Sequence, residues 1–362
     1  MASGFKTASV QSGKVSGTSH SDFPVYVDLD RLGITTLAEA ESVRVYADSA
    51  KTTEWAREIV SLTEMHVKVP SLTSTVDIYV DWDGVRSDYG VTTTYGRNNV
   101  WSDYVVVFHK QTNTSSLAVN STGGTNGNLS FTDGAVTFPS VSTSGKLASG
   151  YDYGTSTNKR GVNTQYTLDL STSALYEASR MTFQVWAYPT ASHNSYFISN
   201  DTAVGFGVAY ITNKFRWAVA PSDINEPGTS ATNTWHMLHL VKDTDTNVFG
   251  YKNGSLQNTM TRSGASGPAS AGVLGLTHRN PAIVPFAGIM DEYRLRLAAL
   301  NANWITTDYN NQNAESTFWG TWTDAVSTSI KSLNGLAIAS VKSRNGLALA
   351  SIKSINGLSN TS

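Results

Sequence analysis

The polar and apolar positions of the chain alternate with period two through most of its length. In the first hundred residues, Phe23, Val25, Val27 and Leu29 interleave with Pro24, Tyr26 and Asp28. The same beat returns at Val43, Val45 and Ala47, at Met65, Val67 and Val69, and at Val76, Ile78 and Val80. Alternation of this kind marks half-buried strands. The segment Leu37–Glu41 reads as one helical turn. Between 113 and 150 the chain is rich in Ser, Thr, Gly and Asn, and reads as loops around short strands at Leu129–Phe131 and Ala135–Phe138.

Stronger strands follow at Met181–Tyr188, Val204–Ile211, Phe215–Ala220, Trp235–Val241 and Val248–Lys252, and then near Ala271–Leu276 and Gly288–Leu297. Asn253-Gly254 separates two of these runs and predicts a two-residue hairpin, because both turn positions need positive φ. A short helix is expected over Ala299–Tyr309, with Trp304 and Tyr309 toward its buried side. The tail repeats with period 11: SIKSLNGLAIA, SVKSRNGLALA, SIKSINGLSNT. An 11-residue period also suits a right-handed helical supercoil, but a Gly in each unit costs about 1 kcal/mol in a helix interior. Short hairpins or a β-spiral are therefore preferred, with a flexible tail as the alternative. Ile330, Leu336, Ile338, Val341, Leu347, Leu349, Ile352 and Leu358 are its apolar positions. Some 30 residues cannot build a core alone, so these are candidate docking or oligomerisation residues.

Composition narrows the function. The 362 residues carry 26 basic and 28 acidic side chains, and no basic stripe that would bind nucleic acid. No run of 18 apolar residues predicts a membrane span. The chain has no Cys, which excludes disulfides, thiolate metal sites and a Cys nucleophile. Its first residues have no signal-peptide form. A virion protein assembled in a host cytoplasm fits this pattern, as does an ordinary cytoplasmic one.

Two resemblances sharpen the picture. The stretches KVSGTSHSDFPVYVDL, SVRVYADS, MHVKVPSLTSTVDIYVDWDG and NNVWSDYVVVFHK resemble a bacterial and phage domain of uncharacterised function that commonly precedes a laminin-G-like domain. MTFQVWAYPT, NTWHMLHLVKD, VFGYKNGSL and FAGIMDEYRLRLAALNANWITTDYNNQ resemble the laminin-G-like, concanavalin A-like jelly rolls. The resemblance implies two packed antiparallel sheets that bind sugar or calcium, or serve as structural modules. Such domain pairs with repeat tails look like phage decoration or fibre proteins. The same fold also hosts glycoside hydrolases, so function must come from the site.

The chemistry that a retaining hydrolase needs is two carboxylates about 5–5.5 Å apart on one face. Asp291 and Glu292 are sequence neighbours, so regular strand geometry points them to opposite faces; a structural role, capping a loop or pairing Arg294, is expected. His236 and His239, three apart on a strand, make a poor metal pair. There is no P-loop, G-x-S-x-G or H-E-x-x-H. For sugar stacking the candidates are Trp186, Tyr188, Trp217 and Tyr251. No obligatory cofactor is implied; calcium is the ion kept open, with Asp201 the leading ligand and Asp152, Asp169 and Asn200 beside it.

The expectation is an all-β chain of two tandem antiparallel β-sandwiches, the second a concanavalin A-like jelly roll. Its units are an N-terminal domain (1–97), a laminin-G-like domain (98–322) and a repeat tail (323–362). The expected function is non-enzymatic: a structural or interaction protein of a phage particle, located in the virion, with weak glycan binding. The tail would dock on identical chains or other virion proteins, and surface polysaccharide is a further partner. The alternative is a cell-surface lectin-like module; a glycoside hydrolase is the least supported.

Overall fold

The computed structural model describes residues 3–109, 117–123, 129–130, 140–154, 161–162, 180–192, 195–199, 206–219, 222–244, 247–261, 275–276, 286–325 and six two-residue strands between 332 and 359. All strand pairing among them is antiparallel, and the protein is all-β apart from a few short helices.

The alternating N-terminal segments make the first sandwich. One sheet runs in the order Thr323–Asp324, Gly4–Ser9, Asp77–Trp82, Arg44–Tyr46, Glu54–Trp55. The other holds His20–Asp28, Glu64–Leu72 and Arg57–Ile59. Val25, Val27, Val45, Met65, Val67, Val69, Ile78 and Val80 face inward, each fully buried. The single turn at Leu37–Glu41 forms as expected, closed by a Thr36/Glu39 capping box.

The second sandwich stacks two larger sheets. The first runs Ser140–Ser142, Gly150–Gly154, Gly288–Arg296, Met181–Pro189, His236–Lys242, Asn247–Lys252, Ser255–Thr261, and Val106–Phe108 also pairs with Gly288–Arg296. The second runs Gly161–Val162, Gly275–Leu276, Ser195–Ser199, Phe206–Ile211, Lys214–Val219, Ser222–Asn225. Phe183, Val185, Trp217, Leu238, Leu240, Met290 and Tyr293 lie between them. Asn253 (φ 51°) and Gly254 (φ 77°) form the expected hairpin, with Lys252 opposite Ser255. The expected strand at Ala135–Phe138 lies outside the described residues.

The closing helix is Ala302–Asn313, three residues later at its start than the sequence pattern gives, because Asn301 caps it by accepting from the Trp304 N–H. The chain then returns to the first sandwich. Trp304, Phe318, Trp319 and Trp322 are buried in the core of Val25, Val45 and Val80, and Thr323–Asp324 adds an edge strand beside Gly4–Ser9. Segment 302–324, which the sequence pattern groups with the jelly roll up to 322 and with the tail from 323, thus also packs into the N-terminal core.

In the tail each repeat forms a two-residue-per-arm hairpin: Ser332–Leu333 with Leu336–Ala337, Ser343–Arg344 with Leu347–Ala348, Ser354–Ile355 with Leu358–Ser359. Leu336, Leu347 and Leu358 begin the returning arm of each. The candidate docking positions Ile330, Ile338, Val341, Leu349 and Ile352 lie outside the described residues.

Candidate functional site

The outer face of the three-stranded sheet carries polar side chains between its core valines. Glu64 and His66 are two apart on one strand and share that face, and Glu58 stands opposite His66 in the ladder. From the second sandwich come His109, just past the strand Val106–Phe108, and Glu292 on Gly288–Arg296. These groups meet in a seam between the sandwiches, all of them 2% exposed or less.

A β-bulge brings Glu292 there. The register against Met181–Pro189 shifts between Gln184 and Trp186, and Glu292 takes φ 55°, a conformation costly for a non-Gly residue. This corrects the expectation that Asp291 and Glu292 face opposite ways: the extra residue of a bulge breaks the two-residue beat, and both carboxylates leave the hydrophobic core. Their roles are structural, as expected. Asp291 accepts the backbone N–H groups of Lys146 (2.9 Å) and Leu147 (3.1 Å). Glu292 accepts from Arg294 Nε (3.0 Å) and Nη2 (2.5 Å), both on Oε2.

Around the seam, His109 Nδ1 lies 2.5 Å from Glu292 Oε1 and 3.4 Å from Glu64 Oε1. His66 Nε2 lies 3.0 Å from Glu64 Oε1 and 3.7 Å from Glu292 Oε2. The two imidazoles stack at 4.6 Å. Trp101 roofs both rings and donates its Nε1–H to Glu58 (2.5 Å), which also accepts from Ser121 Oγ (2.6 Å). Burial, joined by repulsion from Glu292, holds the Glu64 carboxyl well above the usual carboxylate range. Burial also drives His66 well below the usual imidazole range. For His109 burial acts the same way, but the Glu292 and Glu58 carboxylates overcome it and lift the ring well above that range. Glu292 is pulled well down, against its burial, by His109 and Arg294. One donor atom each from Glu64, His66, His109 and Glu292 lies within 4.8 Å of the others, a spacing one metal ion can bridge.

The closing helix seals the same seam with polar side chains. Asn311 accepts the Tyr26 N–H (2.6 Å) and donates to the Tyr26 carbonyl (3.1 Å), pairing the strand edge as another strand would. Gln312 Oε1 accepts from Trp186 Nε1 (2.7 Å) and Gln184 Nε2 (3.2 Å). Asp308 stands 3.7 Å from Arg294 Nη1 and 3.6 Å from His239 Nε2. His236 and His239 do occupy opposite faces: His236 packs its ring on Phe215, in the jelly-roll core, while His239 faces the helix.

The four aromatic candidates separate by burial. Trp186 and Trp217 are fully buried and Tyr251 is 6% exposed. Trp186 stacks on Tyr309 of the closing helix at 5.9 Å, Trp217 lies inside the jelly roll, and Tyr251 packs with Val241 and Ile305. None of these three has a ring face to offer a sugar, which corrects the sequence expectation. Alternation did place Trp186 and Tyr188 on the outer face, but the helix covers that face as far as Trp186. Tyr188 lies beyond the cover, half-buried, against the half-buried Trp235 at 5.4 Å. Asn233 and Thr234 beside the pair are exposed. Of the calcium candidates, Asp201, Asp169 and Asn200 lie outside the described residues, while Asp152 accepts the Gly154 N–H (2.7 Å).

Glu58, Glu64, His66 and His109 escape sequence reasoning. Alternation says that Glu64 and His66 share a face; nothing in it says that the face is buried.

Residues 161–306 match the family model described as the concanavalin A-like lectin/glucanases superfamily, Laminin_G_3. No curated protein matches the chain. Among solved structures, it is similar to the binding domain of botulinum neurotoxin serotype D/C VPI 5993 (14% identity over 60% of this chain and 53% of that one, TM-score 0.44). It is also similar to the binding domain of Paraclostridial Mosquitocidal Protein 1 (12%, 60% and 55%, 0.44) and to the heptameric SAP-like pentraxin from Limulus polyphemus (16%, 36% and 69%, 0.31). The chain spans about half the length of those two toxin domains.

Proposed function

We propose that the protein is a non-enzymatic, lectin-like module that binds surface carbohydrate. The observation that carries this reading is the half-open Tyr188–Trp235 pair at the strand ends of a jelly roll of the lectin superfamily. Aromatic faces cover the apolar face of a sugar ring, and the neighbouring Asn233 and Thr234 side chains supply hydrogen-bond partners for hydroxyls. Asp291 and Glu292 are buried and taken up by Lys146, Leu147 and Arg294, which speaks against hydrolysis, where a carboxylate pair must reach the sugar. The test is a glycan array with the purified chain. Tyr188→Ala and Trp235→Ala should each weaken binding about tenfold or more, about 1.4 kcal/mol. An array on which neither substitution changes any signal sinks the reading.

A second reading, a structural component of a phage particle with its home in the virion, is favoured by the three hairpin repeats of the tail. Repeats that cannot bury themselves need a partner surface, in identical chains or other particle proteins. Light scattering on the full chain and on residues 1–325 tests it: the full chain should assemble and the truncation should not.

A further inference from the structure

We propose that Glu64, His66, His109 and Glu292 form a zinc-class metal site, two donors from each sandwich, that ties the two halves of the protein together.

The donor set has the right chemistry. Two imidazoles and two carboxylates are ligands that zinc takes in tetrahedral sites. Calcium, by contrast, wants six to eight oxygens, which this seam does not gather. With metal–ligand bonds of about 2.0–2.1 Å, the edges of a tetrahedron are about 3.3 Å. Two of the separations, both to Glu64 Oε1, are 3.0 Å from His66 Nε2 and 3.4 Å from His109 Nδ1. A third, His109 Nδ1 to Glu292 Oε1, is a hydrogen bond at 2.5 Å and needs to open by less than about 1 Å to admit an ion.

The surroundings are those of a metal site as well. A ligating imidazole commonly gives its other N–H to a carboxylate, which fixes the ring. His109 Nε2 stands 3.3 Å from Glu58 Oε2, near it but not aligned for a hydrogen bond, and Glu58 is itself held by Trp101 and Ser121. Arg294 grips Glu292 by Oε2 alone, leaving Oε1 to point at the other donors. Among the described residues His66 Nδ1 has no hydrogen-bond partner, while Nε2, the side that faces the cluster, meets Glu64. Three carboxylates, Glu58, Glu64 and Glu292, converge here with one guanidinium, and an ion would displace the proton shared between His109 and Glu292.

The test uses the full chain, stripped with a chelator and titrated with Co2+ or Zn2+. One equivalent of Co2+ should give the intense visible bands of a tetrahedral ion. X-ray absorption of the zinc form should show two imidazole nitrogens and two oxygens. Zinc should raise the melting temperature, and Glu58→Gln should weaken affinity about 10- to 100-fold while leaving all four donors in place. A folded, stripped chain that takes up no stoichiometric metal overturns the proposal. So does a six-coordinate cobalt spectrum, or an affinity that is the same in Glu58→Gln and His66→Gln as in the parent. The absorption measurement on the parent chain decides the matter if a variant does not fold.

Discussion

Arg294 is the residue on which the seam's charge balance turns. It is 1% exposed, and it holds Glu292 while standing over the Trp101 ring at 4.9 Å. Removing one partner of a buried ion pair leaves the other charge without compensation, a loss of about 3–5 kcal/mol. Arg294→Met should destabilise by that order in urea unfolding; a change below about 1 kcal/mol would show that Glu292 is satisfied without it. Glu315 gives a different signal. Its burial raises its pKa from 4.5 to about 7, against the pull of Arg31. In the unfolded chain this carboxyl ionises near 4.5, while in the folded chain it keeps its proton to about 7. The folded state therefore binds more protons in between, and its stability falls as pH rises through that window. Glu315→Gln should flatten the profile there, by roughly 3 kcal/mol at most across the window; parallel profiles for parent and variant would count against the assignment.

At the scale of elements, much was legible. Apolar alternation located the main strands, since a strand with one face in a core must alternate. Asn253-Gly254 announced its hairpin, because few other pairs tolerate two positive φ values. Gly254→Val should cost about 1–2 kcal/mol: it strains φ 77° and crowds Tyr309, whose Cβ lies 3.1 Å from the added carbon. Equal melting temperatures would contradict this. The same alternation misled where a face was covered from outside. Trp186 reads as a solvent-side aromatic until the closing helix lies over it, and that helix is polar enough to read as a surface element. Its Asp308, Asn311 and Gln312 are at most 3% exposed. A helix that binds strand edges and indole N–H groups needs polar residues where a core helix needs leucines. The bulge at Glu292 is equally silent in sequence, as no Gly or Pro marks it. The candidate site was illegible for a further reason: its donors run from residue 64 to 292, and alternation assigns a face but never a partner.

For the whole molecule, the consequence of a shared seam and shared core is cooperativity. Domains that touch only through a small polar interface melt separately. Here Trp304, Phe318, Trp319 and Trp322 reach from the end of the jelly roll into the first core, and charged groups are buried between the halves. Calorimetry should give a single transition for residues 1–325, with calorimetric and van't Hoff enthalpies in agreement; two resolved peaks would disprove the coupling.

The short strand Thr323–Asp324, laid beside Gly4–Ser9, also sets an order of events during synthesis. Residues far apart in the sequence must meet before the N-terminal sheet has its edge strand or its core has Trp304, Trp319 and Trp322. Closing so long a loop is slow, and it cannot begin until the ribosome has delivered the strand Thr323–Asp324. The half that emerges first is therefore finished last, and the newborn N-terminal segment waits, open to proteases and chaperones, for the jelly roll that carries its missing pieces.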